Sequence, residues 1–206
     1  TPEGLKTGSV VRKVTTTIKT IYYDWVDETD TIMKTKVKGE AVVVDLGQRG
    51  KVFALLSGYR LRVDHAKRIT HSSIPRPDEF KNNALEYYST LKKTKATLKP
   101  YQYPVLVAFT DINDPKSVVP LLEMNEARHV KDWSIKTDYL GKYFGEGVKL
   151  KSITIEMTDG DVTWGVVDQY LPWLQKIHGN YLHGGFTSRR APLGLYGGNF
   201  KTGEEQ

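Results

Sequence analysis

The sequence predicts an α+β fold on a largely antiparallel sheet, and three observations carry that expectation. Residues 105–109 (VLVAF) form a short apolar run bounded by Tyr103-Pro104 and by the turn cluster Asp111-Ile112-Asn113-Asp114-Pro115. Such a bounded run is the pattern of a strand buried on both faces at the centre of a sheet. The first half of the chain alternates polar and apolar residues with a period of two and breaks at hairpin-type connections. The second half sets stretches of helical spacing between its strands.

Taken in order, residues 1–8 (TPEGLKTG) are turn-forming. From Ser9 onward Val10, Val14, Thr16, Ile18 and Tyr22 fall on one face, and Lys13, Thr15, Thr17 and Lys19 on the other. That many β-branched residues in alternation predict a long strand with one face in water. After a polar loop over residues 24–31, alternation resumes over 33–44, with Lys34, Lys36 and Lys38 projecting to one side. Such a row reads as a solvated face that discourages edge-to-edge pairing. Gly47-Gln48-Arg49-Gly50 then turns the chain into the returning strand KVFALL, 51–56.

Residues 59–73 offer one more strand and a polar connection carrying His65 and His71. Asp78 is placed to cap an amphipathic helix over 79–95, with Phe80, Ala84, Leu85, Tyr88 and Leu91 at helical spacing. Its terminal Lys92, Lys93 and Lys95 suit the negative end of a helix dipole. Beyond the central strand, Asp114-Pro115 opens a short helical turn that Pro120 stops. Residues 123–136 carry no clear period. Thr137-Asp138 caps a short helix burying Leu140, Tyr143 and Phe144, which Gly145 and Gly147 end. Residues 148–157 alternate with one slip near Ser152, the mark of a bulge. Asp161 or Thr163 caps a last helical face of Val166, Val167, Tyr170, Leu174 and Ile177, broken at Pro172.

From Gly179 the chain becomes rich in glycine and aromatics without a period. The expectation is a single α+β domain over residues 1–178 and an extended, unpacked arm over 179–206, held by Tyr181, Phe186, Tyr196 and Phe200.

Composition narrows the function. At 206 residues the chain has room for one sizeable core, and its 39% hydrophobic and 26% charged content is that of an ordinary globular protein. No window approaches the roughly 18 apolar residues of a membrane helix. Without cysteine there is no disulfide, no thiolate catalysis and no cysteine-ligated zinc. The net charge of +6 comes without a dense basic cluster, so nucleic acid is not the expected partner. A chain that starts at Thr1 is expected to be a processed product, with any targeting segment upstream.

The blocks TPEGLKTGSVV, VKGEAVVVDLG, KVFALL, YPVLVAFTDINDPKSV and FGEGVKLKSITIEMTDGDVTWGV with LPWL span nearly the whole chain in order. In them the sequence resembles a family of uncharacterised proteobacterial proteins. The resemblance implies an apolar N-terminal anchor or export segment, and therefore a bacterial envelope protein, periplasmic or anchored, facing outside the cytoplasm. It implies no catalytic or binding residue.

Signatures of catalysis are sparse. There is no G-x-S-x-G elbow, no H-E-x-x-H and no phosphate-binding glycine loop. Asp111, Asn113 and Asp114 gather oxygen ligands, but the glycine and terminal glutamate of a calcium loop are missing, and the structural turn is preferred. His178 and His183, with Asp168, are acid–base equipment without an evident nucleophile. Trp164, Tyr170 and Trp173, joined by Arg189 and Arg190, form the candidate ligand-binding set, suited to stacking and cation–π contact. The expectation is a non-enzymatic, envelope-associated protein that binds or scaffolds other proteins through exposed strand edges and the glycine–aromatic arm. No cofactor and no metal is expected. The competing class is a hydrolase or transferase acting on envelope material through His178, His183 and Asp168.

Overall fold

The computed structural model describes the whole chain apart from residues 24–27, 59–64, 81–82, 126–127, 178, 186–190 and 204–206. The alternating N-terminal stretch forms β1 (Lys13–Tyr23) and β2 (Glu28–Glu40), paired antiparallel from Lys13 with Lys38 to Tyr23 with Glu28. After Ala41 the chain continues as β3 (Val42–Asp45) and turns over Gly47–Arg49 into β4 (Lys51–Ala54). Helices α1 (His65–Ser73) and α2 (Ala84–Thr90) follow, then β5 (Lys95–Thr97), β6 (Leu106–Phe109) and β7 (Val118–Pro120). Next come β8 (Leu122–Asn125), β9 (Ser134–Asp138), α3 (Leu140–Phe144), β10 (Thr154–Glu156), α4 (Val166–Tyr170) and β11 (Lys201–Thr202). The fold is thus α+β, and every strand pairing among the described residues is antiparallel.

The central sheet runs β3-β4-β6-β7, with the apolar run at 106–109 on an inner strand. Both of its faces are covered, which is why that run has no polar alternation. Val43, Phe53 and Val107 face a layer made by Val167, Leu171, Leu174, Leu182, Leu195 and Phe200. Val52, Leu106 and Ala108 face the opposite layer of Leu121, Leu140, Phe144 and Val148. Pro120 sits in β7 at the sheet edge, where a missing N–H leaves no ladder bond unmade.

Four expectations are corrected. Residues 65–73, read as a polar connection, are helix α1, and His71 stacks on Tyr88 with ring centroids 4.2 Å apart. The helix expected over 79–95 is only α2, capped by Asn83, whose side chain accepts from the Glu86 amide. Its C-terminal continuation is taken by β5, which pairs with β10, so tertiary pairing overrides helical spacing there. Of the alternating stretch 148–157 only β10 pairs, while Val148, Leu150 and Ile153 turn into the second core layer. The stretch at 123–136 that lacked a period supplies β8 and part of β9, with the register shift between Glu123 and Met124.

The fourth correction concerns the last helix and the C-terminal segment. Neither Asp161 nor Thr163 caps α4; the Thr163 hydroxyl accepts from the Val11 amide instead. The cap is Glu40, whose fully buried carboxylate accepts from the amides of Val166 (3.0 Å) and Val167 (3.2 Å). Gly165, at φ 84°, turns those amides toward it in a conformation that costs other residues strain. Arg12 donates to the Glu40 carbonyl and to the Ala54 carbonyl, both at 3.0 Å. Burial lowers its guanidinium to about 10, against the opposing pull of the Glu40 charge, so it remains a cation at neutral pH.

The described part of the segment after Gly179 is packed, not laid outside. Leu195 and Phe200 are fully buried, Phe200 packs on Phe53 and Phe109, and β11 pairs with the base of β2. The Asn199 side chain donates to Ser57 Oγ, and its backbone carbonyl accepts from Leu56 N. Such a segment needs no period of its own, because the sheet edge and the core supply its partners.

Substitutions at two positions test this arrangement. Phe200→Ala should cost about 3–5 kcal/mol in chemical denaturation. A loss below about 1 kcal/mol would make the C-terminal segment peripheral. Glu40→Ala leaves two helix amides without their acceptor and the buried Arg12 cation without its neighbouring countercharge, and should cost about 3–5 kcal/mol. Glu40→Gln keeps one acceptor and should cost less; equal loss in both would assign the cost to the missing charge and not to the cap hydrogen bonds.

Candidate functional site

The feature with no structural need is the β1–β2 ribbon. At about 3.3 Å per residue β1 is roughly 36 Å long, whereas the four-residue strands of the central sheet reach only about 13 Å. The ribbon therefore outruns the core. Its base is held by buried Val37, by β11, and by Thr163, which exchanges two hydrogen bonds with Val11. Beyond that base, residues 17–20 are exposed on both faces, and no further strand pairs with the outer edge of β1 among the described residues.

Strand alternation gives the ribbon two unlike faces. On one stand Val14, Thr16, Ile18, Thr20 and Tyr22, with Val14 38%, Ile18 39% and Tyr22 56% exposed. On the other stand Lys13, Thr15, Thr17 and Lys19, and across from them in register Lys38, Lys36 and Lys34. The lysine row of β2 and the lysines of β1 thus share one face. Lys13 faces Lys38 directly, a like-charge pair that is unfavourable in a sheet. An isolated two-stranded ribbon is marginally stable in water. One that exposes aliphatic residues on one side and lysines on the other is a surface to be covered.

The sequence-derived ligand set is distributed among separate partners. Trp173 donates its indole N–H to the Ile112 carbonyl at 2.8 Å and meets Phe109 edge-to-face at 5.4 Å. Tyr170 lies under Lys51 and donates its hydroxyl to Asp45 at 3.3 Å. Trp164 faces Lys201 at 5.9 Å. Arg189 and Arg190 lie outside the described residues, as do His178 and Phe186. Asp168 is paired with Lys201 at 2.5 Å, and its other oxygen has no hydrogen bond. His183 Nδ1 has none either, so the two groups are not joined through these atoms. The enclosed space near the C-terminal segment, between Val37, Leu56, Ser57, Tyr196, Gly198 and Thr202, is about 30 Å³. That holds about a water or two and no small-molecule substrate.

Charges elsewhere serve local structure. The Glu3 carboxyl is held down at about 2, chiefly by its hydrogen bond from Arg49, which also donates to the Phe144 carbonyl. Glu123 is lowered by hydrogen bonds from Lys136 and Tyr139, and Asp45 chiefly by the Gly47 amide. Asp111 accepts from Asn113 N, and Asp114 from Lys116 N, both at 2.9 Å. Both carboxylates thus close the turn after β6.

The signal for the ribbon was in the sequence as a mismatch of lengths. Alternation from Lys13 to Tyr23 is far longer than the apolar runs that make the core. The exposed face was missed because alternating apolar residues were assigned to a core that is too small to meet them all. Comparison with known protein families, with curated proteins and with solved structures finds no match.

Asp114→Ala should cost about 0.5–2 kcal/mol, the usual effect of a lost cap. The loss should be the same with millimolar calcium, magnesium or chelator. A rise of several degrees in the melting midpoint with either cation, abolished by Asp114→Ala, would make the loop a metal site.

Proposed function

We propose that this chain is a non-enzymatic protein that holds other proteins by accepting their strands on the free edge of β1. The single observation that carries this is the projecting ribbon, with an unpaired edge and an exposed apolar face beside it. An edge of this kind offers backbone hydrogen bonds for affinity and alternate side chains for specificity. Its placement in the bacterial envelope rests on the family resemblance of the sequence blocks. No helix among the described residues is long and apolar enough to cross a membrane, so an anchor would lie in another segment. A hydrolase or transferase working through His178, His183 and Asp168 has less support, because Asp168 is committed to Lys201.

The test is site-specific photo-cross-linking of the protein in the cell that makes it, with the probe at Ile18 and, as a control, at exposed Glu146. One defined protein adduct at Ile18, absent at Glu146 and lost when Thr16→Lys disrupts the same face, is expected. Identical adducts at both positions, or none at Ile18, would overturn the proposal.

A further inference from the structure

The ribbon's two faces also limit what can bind it. This step rests on the edge-binding function proposed above and asks which chemistry the edge selects. A nucleic acid or other polyanion would cover Lys13, Lys19, Lys34 and Lys36 and leave Val14, Ile18 and Tyr22 in water. A bilayer taking the apolar face would hold the lysine face away from its headgroups. A second copy of β1 on the same edge would bring Lys13 and Lys19 against their own kind. A foreign strand beside β1 is the one occupant that meets both faces at once, since its own side chains alternate between them.

We propose that the occupant is an extended segment in which acidic and apolar residues alternate. Its acidic positions would fall on the lysine face, directly beside Lys13 and Lys19. Lys34 and Lys36 stand one strand further away, at about 9–10 Å, where their attraction is felt chiefly at low ionic strength. Its apolar positions would cover Val14 and Ile18. The lysines therefore do two things: they discourage pairing with basic or purely apolar strands, and they select an acidic one. The register also bounds the footprint. Thr163 occupies the edge at Val11, and β1 carries no lysine beyond Lys19, so the positive ground ends near Lys19.

The test uses the whole chain and three labelled synthetic peptides of about ten residues, a typical strand length. One alternates glutamate and valine, one alternates lysine and valine, and one has the first composition in two blocks. Fluorescence anisotropy should show binding of the alternating acidic peptide only, weakening as salt rises from about 0.01 M to 0.15 M. Lys34→Glu with Lys36→Glu should weaken it by about tenfold or more and favour the lysine peptide instead. Ile18→Lys should weaken binding of the alternating acidic peptide. Lys19→Glu, a single change on the exposed strand, serves if the double variant loses its fold by circular dichroism. A short DNA duplex and phosphatidylglycerol vesicles complete the set. Tighter binding of either one, insensitive to Ile18→Lys, would overturn the proposal. So would equal binding of the block and alternating peptides. If the Ile18 cross-link forms but the acidic peptide does not bind, the edge-binding function stands and its proposed acidic specificity fails.

Discussion

Glu40 is the constraint on which the described body of the protein depends. It sits where the ribbon enters the core, and its carboxylate is removed from water. A charge there is stable only with several donors, and the first amides of α4 supply them. One residue thus ties β2 to a helix more than a hundred positions later. The adjoining backbone extends the tie: the Glu40 carbonyl holds Arg12 at the foot of β1, and Ala41 N donates to the Phe200 carbonyl at 2.7 Å. Ribbon, α4 and C-terminal segment meet at this point.

From that junction the molecule grades from fixed to free. The central sheet is covered on both faces, and on one of them Phe53, Phe109 and Phe200 interlock with centroids about 6 Å apart. Toward the ribbon the contacts thin to a single layer of paired backbone. Local opening is easiest where few apolar contacts and many exposed backbone hydrogen bonds coincide, and recognition elements are drawn from such regions. The ribbon fits that physical description, while its base inherits the rigidity of the Glu40 junction. A rigidly rooted, sparsely covered edge can offer a strand partner a preformed register.

The same division distributes the aromatic rings among separate partners. Trp173, Tyr170 and Trp164 sit together in sequence, but each ring is held by a different neighbour: the loop after β6, the end of β3, and β11. Their helical spacing distributes them around α4 and the turn that follows it, and the core claims them one at a time.

By itself the sequence determined the local facts. The apolar run at 105–109 pointed to a buried strand, Asp114 and Thr137-Asp138 to local caps, and the alternation from Ser9 to a long strand. Each follows from a side chain's own geometry and its near neighbours. Tertiary structure decided the rest, because those outcomes depend on partners far away in the chain. Residues 95–97 became strand because β10 was there to pair with them. Glu40 became a helix cap because α4 arrives beside it. The aperiodic segment past Gly179 became core because the sheet left space for Leu195 and Phe200. The ribbon became exposed for the complementary reason: the core is only as wide as its four-residue strands, and nothing in the local pattern of β1 records where that width ends.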